Sequence, residues 1–140
     1  MLELLHLPSD YVELKHLKAE LRRVVDLQRF TAEAAFDIML SVHEAVVNAM
    51  SHGNRLARER AVTVEWQYEA DGLRITVRDE GGGFDYGRWL ELIAERTPGP
   101  EMDHGRGILL MTRLMDRVAF ADGGATVILT RRFDRTPSPS

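Results

Sequence analysis

The sequence predicts an α+β fold: a two-layer α/β sandwich with helices on one face of a largely antiparallel sheet. Three observations carry this reading. Residues 14–25 and 32–50 repeat apolar side chains at helical spacing, whereas 61–66, 73–78, 118–121 and 126–133 alternate in strand fashion about glycine turns. With 140 residues and 44% hydrophobic composition, the chain supplies one well-buried core and is too short for two ordinary domains. It therefore reads as one domain, residues 1–135, followed by an expected disordered tail, residues 136–140, of Thr, Pro and Ser.

The elements follow in order. Leu2 to Leu7 is apolar-rich and ends at Pro8, which predicts a short first strand or an extended lead-in. Ser9 or Asp10 then caps a helix whose inner face is Leu14, Leu17, Leu21, Val24 and Val25, and whose outer face carries Lys15, Lys18, Arg22 and Arg23. Thr31 caps a second helix running to about Met50, and Gly53-Asn54 ends it. Ala61 to Trp66 and Leu73 to Arg78 form a hairpin about Asp71-Gly72. Gly87 to Glu95 suits a short helix, Thr97-Pro98-Gly99-Pro100 interrupts it, and Gly107 to Met115 predicts another helix. A second hairpin joins Val118–Ala121 to Thr126–Phe133 through Asp122-Gly123-Gly124.

Charge and composition exclude several function classes. Eighteen Lys and Arg against 22 Asp and Glu leave a net charge of −4, so no global basic field points to nucleic acid. Basic residues gather only locally, at Arg22-Arg23 and Arg131-Arg132. The absence of cysteine removes disulfide and thiolate-metal chemistry and agrees with a reducing compartment. No apolar run reaches the roughly 18 residues of a membrane span, and no signal pattern opens the chain. A cytoplasmic protein is expected.

The second helix carries the first chemical signal. At about 100° per residue, Ala35, Ile38, Met39, Val42, Ala45, Val46 and Ala49 share the sheet-facing side. Asp37, Ser41, Glu44 and Asn48 form a narrow polar stripe on the opposite side, between the apolar shoulders Phe36, Leu40 and Val47. Such a stripe is commonly just solvated, but residues 32–50 contain no Lys or Arg, and a solvated face commonly uses them. The stripe is better suited to lining a cleft. Mg²⁺ takes one or two protein oxygens beside substrate phosphates, which suits Asn48, and Glu44 one turn earlier suits a general base or orienting group. His52 either closes the site or hydrogen-bonds at the helix end.

Asp79 stands where a strand runs into Gly81-Gly82-Gly83. It either caps that turn or accepts the exocyclic amine of adenine, with the glycines permitting close approach of backbone to base and sugar. Gly105-Arg106-Gly107 precedes an apolar helix, where backbone N–H groups and the helix dipole favour phosphate, and residues 97–107 suit a mobile cover. The phosphate loop with Lys-Ser/Thr and the His-Arg-Asp and Asp-Phe-Gly elements of eukaryotic-type kinases are absent.

In this order the segments resemble the boxes of the GHKL ATPase superfamily, and within it the small anti-sigma-factor serine/threonine kinases of bacterial partner-switching systems. Glu44-x-x-x-Asn48 with His52-Gly53-Asn54 is similar to the N box, Asp79-x-Gly81-x-Gly83 to the first glycine box, and Gly105-x-Gly107 to the second. The resemblance spans Leu14 to Phe133. It implies a Bergerat-type ATP-binding fold with a mainly antiparallel, mixed sheet, and ATP and Mg²⁺ as cofactors. By the same resemblance Asn48 binds Mg²⁺, Glu44 is the catalytic base, Asp79 contacts adenine, Gly81, Gly83, Gly105 and Gly107 frame the nucleotide, and Thr130 places a hydroxyl near adenine. It further implies a homodimer that phosphorylates an anti-sigma-factor antagonist and sequesters a sigma factor or related regulator. Arg22 or Arg23 is a candidate to neutralise charge during transfer. Two other functions compete: a non-catalytic, nucleotide-gated protein-binding module, and a detached histidine-kinase catalytic domain.

Overall fold

The computed structural model describes residues 2–81 and 103–134. The expected helix at 87–95, the glycines Gly82 and Gly83, most of the expected cover and the tail at 136–140 lie outside the described residues.

The chain opens with β1 (Leu2–Pro8), an edge strand paired with β2 (Ala61–Tyr68). Asp10 caps a 3₁₀ turn, its Oδ1 accepting from Val12 N at 3.1 Å, and this turn leads into α1 (Leu14–Val24). Leu17, Leu21 and Val24 are its buried face, as the spacing predicts. Thr31 Oγ1 accepts from Ala34 N at 3.1 Å and starts α2 (Ala32–Asn48), whose last turn widens into a π turn, Ala49–Gly53. The hairpin of β2 and β3 (Gly72–Arg78) is closed by Glu69 N donating to Gly72 O at 2.7 Å.

A third helix, α3 (Asp103–Leu114), precedes β4 (Arg117–Ala121) and β5 (Thr126–Arg132). It begins four residues before the predicted Gly107. Gly105 therefore lies in its first turn and Gly107 in its second, not ahead of it. Two glycines weaken the helical signal in the sequence without stopping the helix, because a glycine costs only about 1 kcal/mol there.

The strand order is β1-β2-β3-β5-β4, and every pairing is antiparallel. Among the described residues the sheet is thus antiparallel rather than mixed. Helices cover one face, with α2 against β3 and β5 and α3 beside α2. Alternation sends Val62, Val64, Leu73, Ile75, Val77, Val127 and Leu129 to the helical side, where they join Ile38, Val42, Val46, Met50, Ile108 and Met111 in one core. Each fully buried Leu, Ile or Met there contributes about 1.5–3 kcal/mol. The opposite face is open and charged, bearing Glu65, Arg74, Arg78, Arg117 and Arg132. Among the described residues no helix is long and apolar enough to cross a membrane.

Candidate active site

The polar stripe on α2 meets α3. An atom at the Cβ position of Gly107 would stand 2.8 Å from Asn48 Nδ2 and 3.4 Å from Glu44 Oε2, so α3 rests on these two side chains through a bare glycine. Helical geometry places Asp37, Ser41, Glu44 and Asn48 along one line of α2. Ser41 is fully buried, and among the described residues its hydroxyl has no hydrogen-bond partner. Asp37 pairs with Arg131 of β5 at 3.3 Å. The stripe is therefore an interface between helices and not a solvated face.

Asp79 stands at the mouth of the same region. Its N–H donates to Ala125 O at 2.9 Å, which fixes the end of β3 beside the turn that leads into β5. Its Oδ1 accepts from Gly81 N at 2.8 Å. Burial pushes the Asp79 carboxyl above the usual carboxylate range, and the Gly81 N–H opposes that rise. A Cβ on Gly53 would lie 2.3 Å from the Asp79 carboxylate, and one on Gly81 would lie 1.7 Å from Gly53 O. The two glycines let the end of α2 and the β3 turn interlock around this one carboxylate.

Asn54 holds that interlock in place. Fully buried, it donates from Nδ2 to Ser9 Oγ at 2.9 Å and Ala61 O at 3.1 Å, and its Oδ1 accepts from Glu80 N at 2.8 Å. The sequence presents Asn54 as a helix stop and as the end of the first box, with no role of its own. Its adjacency to Gly53 in the first box was the available signal for a further role.

Between these groups lies a cavity walled by Ala49, Val77, Ile108, Met111, Phe120 and Val127, with Asn48 and Asp79 as its polar groups. The wall suits the flat faces of a purine base, and the half-buried Asp79 carboxylate suits its amino edge. Asn48 would offer one neutral oxygen ligand to a hydrated Mg²⁺, which would supply charge neutralisation for phosphates. The residues present thus fit ATP with Mg²⁺. The cavity measures about 30 Å³, room for water, whereas small-molecule pockets begin near 300 Å³. The cavity is partly open to solvent, so a nucleotide need not lie wholly within that space.

The sequence-derived candidates divide accordingly. Glu44, Asn48 and Gly107 come together, and Asp79 with Gly81 closes the other side. Gly105 lies one turn before Gly107 on α3, and Gly83 falls outside the described residues. Thr130 is a correction. It shares the open sheet face with Arg74 and Arg117, its partners in register, whereas the cavity is walled by Val127 from the opposite face. His52 is exposed on the π turn. Arg22 lines the groove between α1 and α2, and Arg23 pairs with Glu3 at 3.1 Å and Glu20 at 2.9 Å, so neither borders the cavity.

Comparison with known proteins agrees with this geometry. Residues 7–131 match the family model described as histidine kinase-like ATPase domain. Serine-protein kinase RsbW of Bacillus subtilis strain 168 is 28% identical over 137 residues, covering 88% of this chain and 86% of its own length. The protein of the same name from Listeria innocua is 30% identical over 134 residues, with 91% and 84% covered. That from Bacillus pumilus is 30% identical over 126 residues, with 85% and 78% covered.

Proposed function

The chain belongs to the histidine kinase-like ATPase domain family, and on that premise we propose that it is an ATP-dependent serine/threonine protein kinase acting as an anti-sigma factor. It phosphorylates an anti-sigma-factor antagonist and sequesters a sigma factor or related regulator, as a cytoplasmic homodimer. The observation that carries the reading is the seating of Gly107 on Asn48 and Glu44, opposite the half-buried carboxylate of Asp79, in a chain similar over most of its length to proteins named serine-protein kinase.

ATP with Mg²⁺ supplies the phosphoryl group and neutralises its charge. Asn48 offers its side-chain oxygen as a metal ligand. Asp79 accepts the amino group of the base, and the apolar wall from Ala49 to Val127 excludes water around it. Glu44, one turn from Asn48, orients the acceptor hydroxyl and takes its proton. The first turn of α3, with Gly105, offers backbone N–H groups to phosphate.

The test is incubation of the chain with labelled ATP and the antagonist-like proteins of its own genome. Acid-stable phosphoserine or phosphothreonine on one of them is expected. Tight ATP binding without transfer would make the chain a nucleotide-gated binding module, and acid-labile phosphohistidine would make it a histidine-kinase catalytic domain.

A further inference from the structure

Arg131 joins three elements at the C-terminal end of α3, one turn beyond the cavity-wall residue Met111. From β5, its Nη1 donates to Asp37 Oδ2 on α2 at 3.3 Å and to the carbonyl of Leu114, the last residue of α3. Its Nε lies 3.9 Å from Asp116 Oδ2, and Asp116 in turn accepts from Arg132 N at 2.6 Å. Only 20% of the Arg131 side chain and 18% of the Asp37 side chain are exposed, so solvent screens the pair less than an ordinary surface bridge. A guanidinium on a final helical carbonyl also meets the negative end of the helix dipole.

The described contacts fasten the seam between α2 and α3 at two points. Towards the start of α3, Gly107 packs bare against Asn48 and Glu44, beside the buried Ile108. At the other end a shared guanidinium ties the last turn of α3 to Asp37, on the same stripe of α2 as those two residues. Midway along the stripe, the buried hydroxyl of Ser41 has no partner among the described residues. From α3, Ile108 and Met111 supply two walls of the cavity.

We propose that Arg131 and Asp37 are a positioning pair: they anchor the pivot of α3, keep Gly105 and Gly107 in register with Asn48, and so set how readily the ATP site opens and closes. The inference rests on the ATP reading of that site. Loss of either partner lets α3 slide or tilt as a body, so the glycine end no longer returns to one position over the phosphates. Neither residue touches the nucleotide.

Hydrogen exchange of α3 amides in the full chain, with and without Mg²⁺-ATP, and the ATP dissociation constant test this. Wild type is compared with Asp37→Asn, Arg131→Gln and the conservative Arg131→Lys. In the wild type, nucleotide should slow α3 exchange. Asp37→Asn and Arg131→Gln should each speed α3 exchange and weaken ATP binding by about tenfold. The β1–β2 amides should stay as protected as before, which separates a loosened helix from a failed fold. Arg131→Lys keeps a cation and donors for both Asp37 and the Leu114 carbonyl, and should restore most of the affinity. Wild-type ATP affinity and unchanged α3 exchange in the two disruptive variants would overturn the inference alone. A wild-type chain that takes up no ATP would overturn the ATP reading and the inference together.

Discussion

Gly107 of α3 approaches Asn48 of α2 so closely that a Cβ would lie 2.8 Å from its Nδ2, and 3.4 Å from Glu44 Oε2. Gly107→Ala should therefore keep its helix, since alanine is the better helix former by about 1 kcal/mol, yet push α3 off the two side chains. The expected result is a fall of about tenfold in ATP affinity, or 1.4 kcal/mol, without loss of helical content. Calorimetric titration with Mg²⁺-ATP checks it, and wild-type affinity would show that the close packing plays no part in binding.

Glu44 and Asn48 lie one helical turn apart on α2, and the proposed roles separate them. Asn48→Ala should abolish Mg²⁺-dependent ATP binding, because it removes the neutral oxygen assigned to the metal. Glu44→Ala should bind ATP nearly as before and lose transfer by about 10²–10⁴-fold, the usual range for a general base. Binding and single-turnover phosphorylation measured side by side decide the matter. Near-normal transfer by Glu44→Ala would remove the base assignment.

Asp79 gives a pH dependence with a definite sign. Its carboxyl titrates above the ordinary carboxylate range because it is half-buried, so the folded chain holds this proton more tightly than the unfolded chain. The resulting penalty is absent below the unfolded pKa. It grows as pH rises through the window up to the raised folded pKa, and is fully present above it. Asp79→Asn keeps an oxygen for the Gly81 N–H and removes the penalty. The variant should unfold at higher denaturant than wild type at pH 7, with the gap closing in acid, while adenine nucleotide affinity falls. A gap that persists unchanged below the acid window would show that ionisation of Asp79 is not its source.

Much of this molecule was legible in the sequence, for reasons that also mark where legibility ends. The helices of Leu17 and Val42 and both hairpins follow from periodicity, since core-facing residues recur at 3.6 or 2 whatever the tertiary detail. That the polar stripe is not a solvated face was legible because residues 32–50 lack Lys and Arg, although of its four residues only Asn48 lines the cavity. Strand parity also disfavoured Thr130, for a residue three positions from the cavity-wall Val127 points to the other face. The start of α3 was hidden by its glycines. The interlock of Gly53, Asp79 and Gly81, and the reach of Arg131 to Asp37, join segments far apart in sequence, and local patterns carry no record of such pairings.

Ser41 is buried on α2 with a hydroxyl that has no partner among the described residues. An unmet buried hydroxyl costs about 1–3 kcal/mol, and alanine also favours the helix slightly. Ser41→Ala should thus raise the free energy of unfolding by about 1 kcal/mol in urea titration. A clear loss of stability would mean that the hydroxyl is satisfied in solution.

Asn54 provides the sharpest test of how the site is held. Its amide is used from both ends: Nδ2 donates to Ser9 Oγ and Ala61 O, while Oδ1 accepts from Glu80 N at 2.8 Å, in a fully buried position. Asn54→Ala leaves the Glu80 N–H and the Ala61 carbonyl each short of one bond and should cost about 2–3 kcal/mol. Asn54→Asp retains the acceptor for Glu80 N but has no donor for Ala61 O, and when ionised it places a buried negative charge beside that carbonyl. It should be at least as destabilising as alanine at pH 7 and should recover partly in acid, where the protonated carboxyl donates again. Because Glu80 follows Asp79 directly, both variants should also loosen the Asp79 carboxylate and weaken ATP binding more than Ser41→Ala does. Denaturation at two pH values and one nucleotide titration per variant check the ordering, and an Asn54→Asp variant as stable as wild type at pH 7 would show that the amide's donor end does not hold the β3 turn.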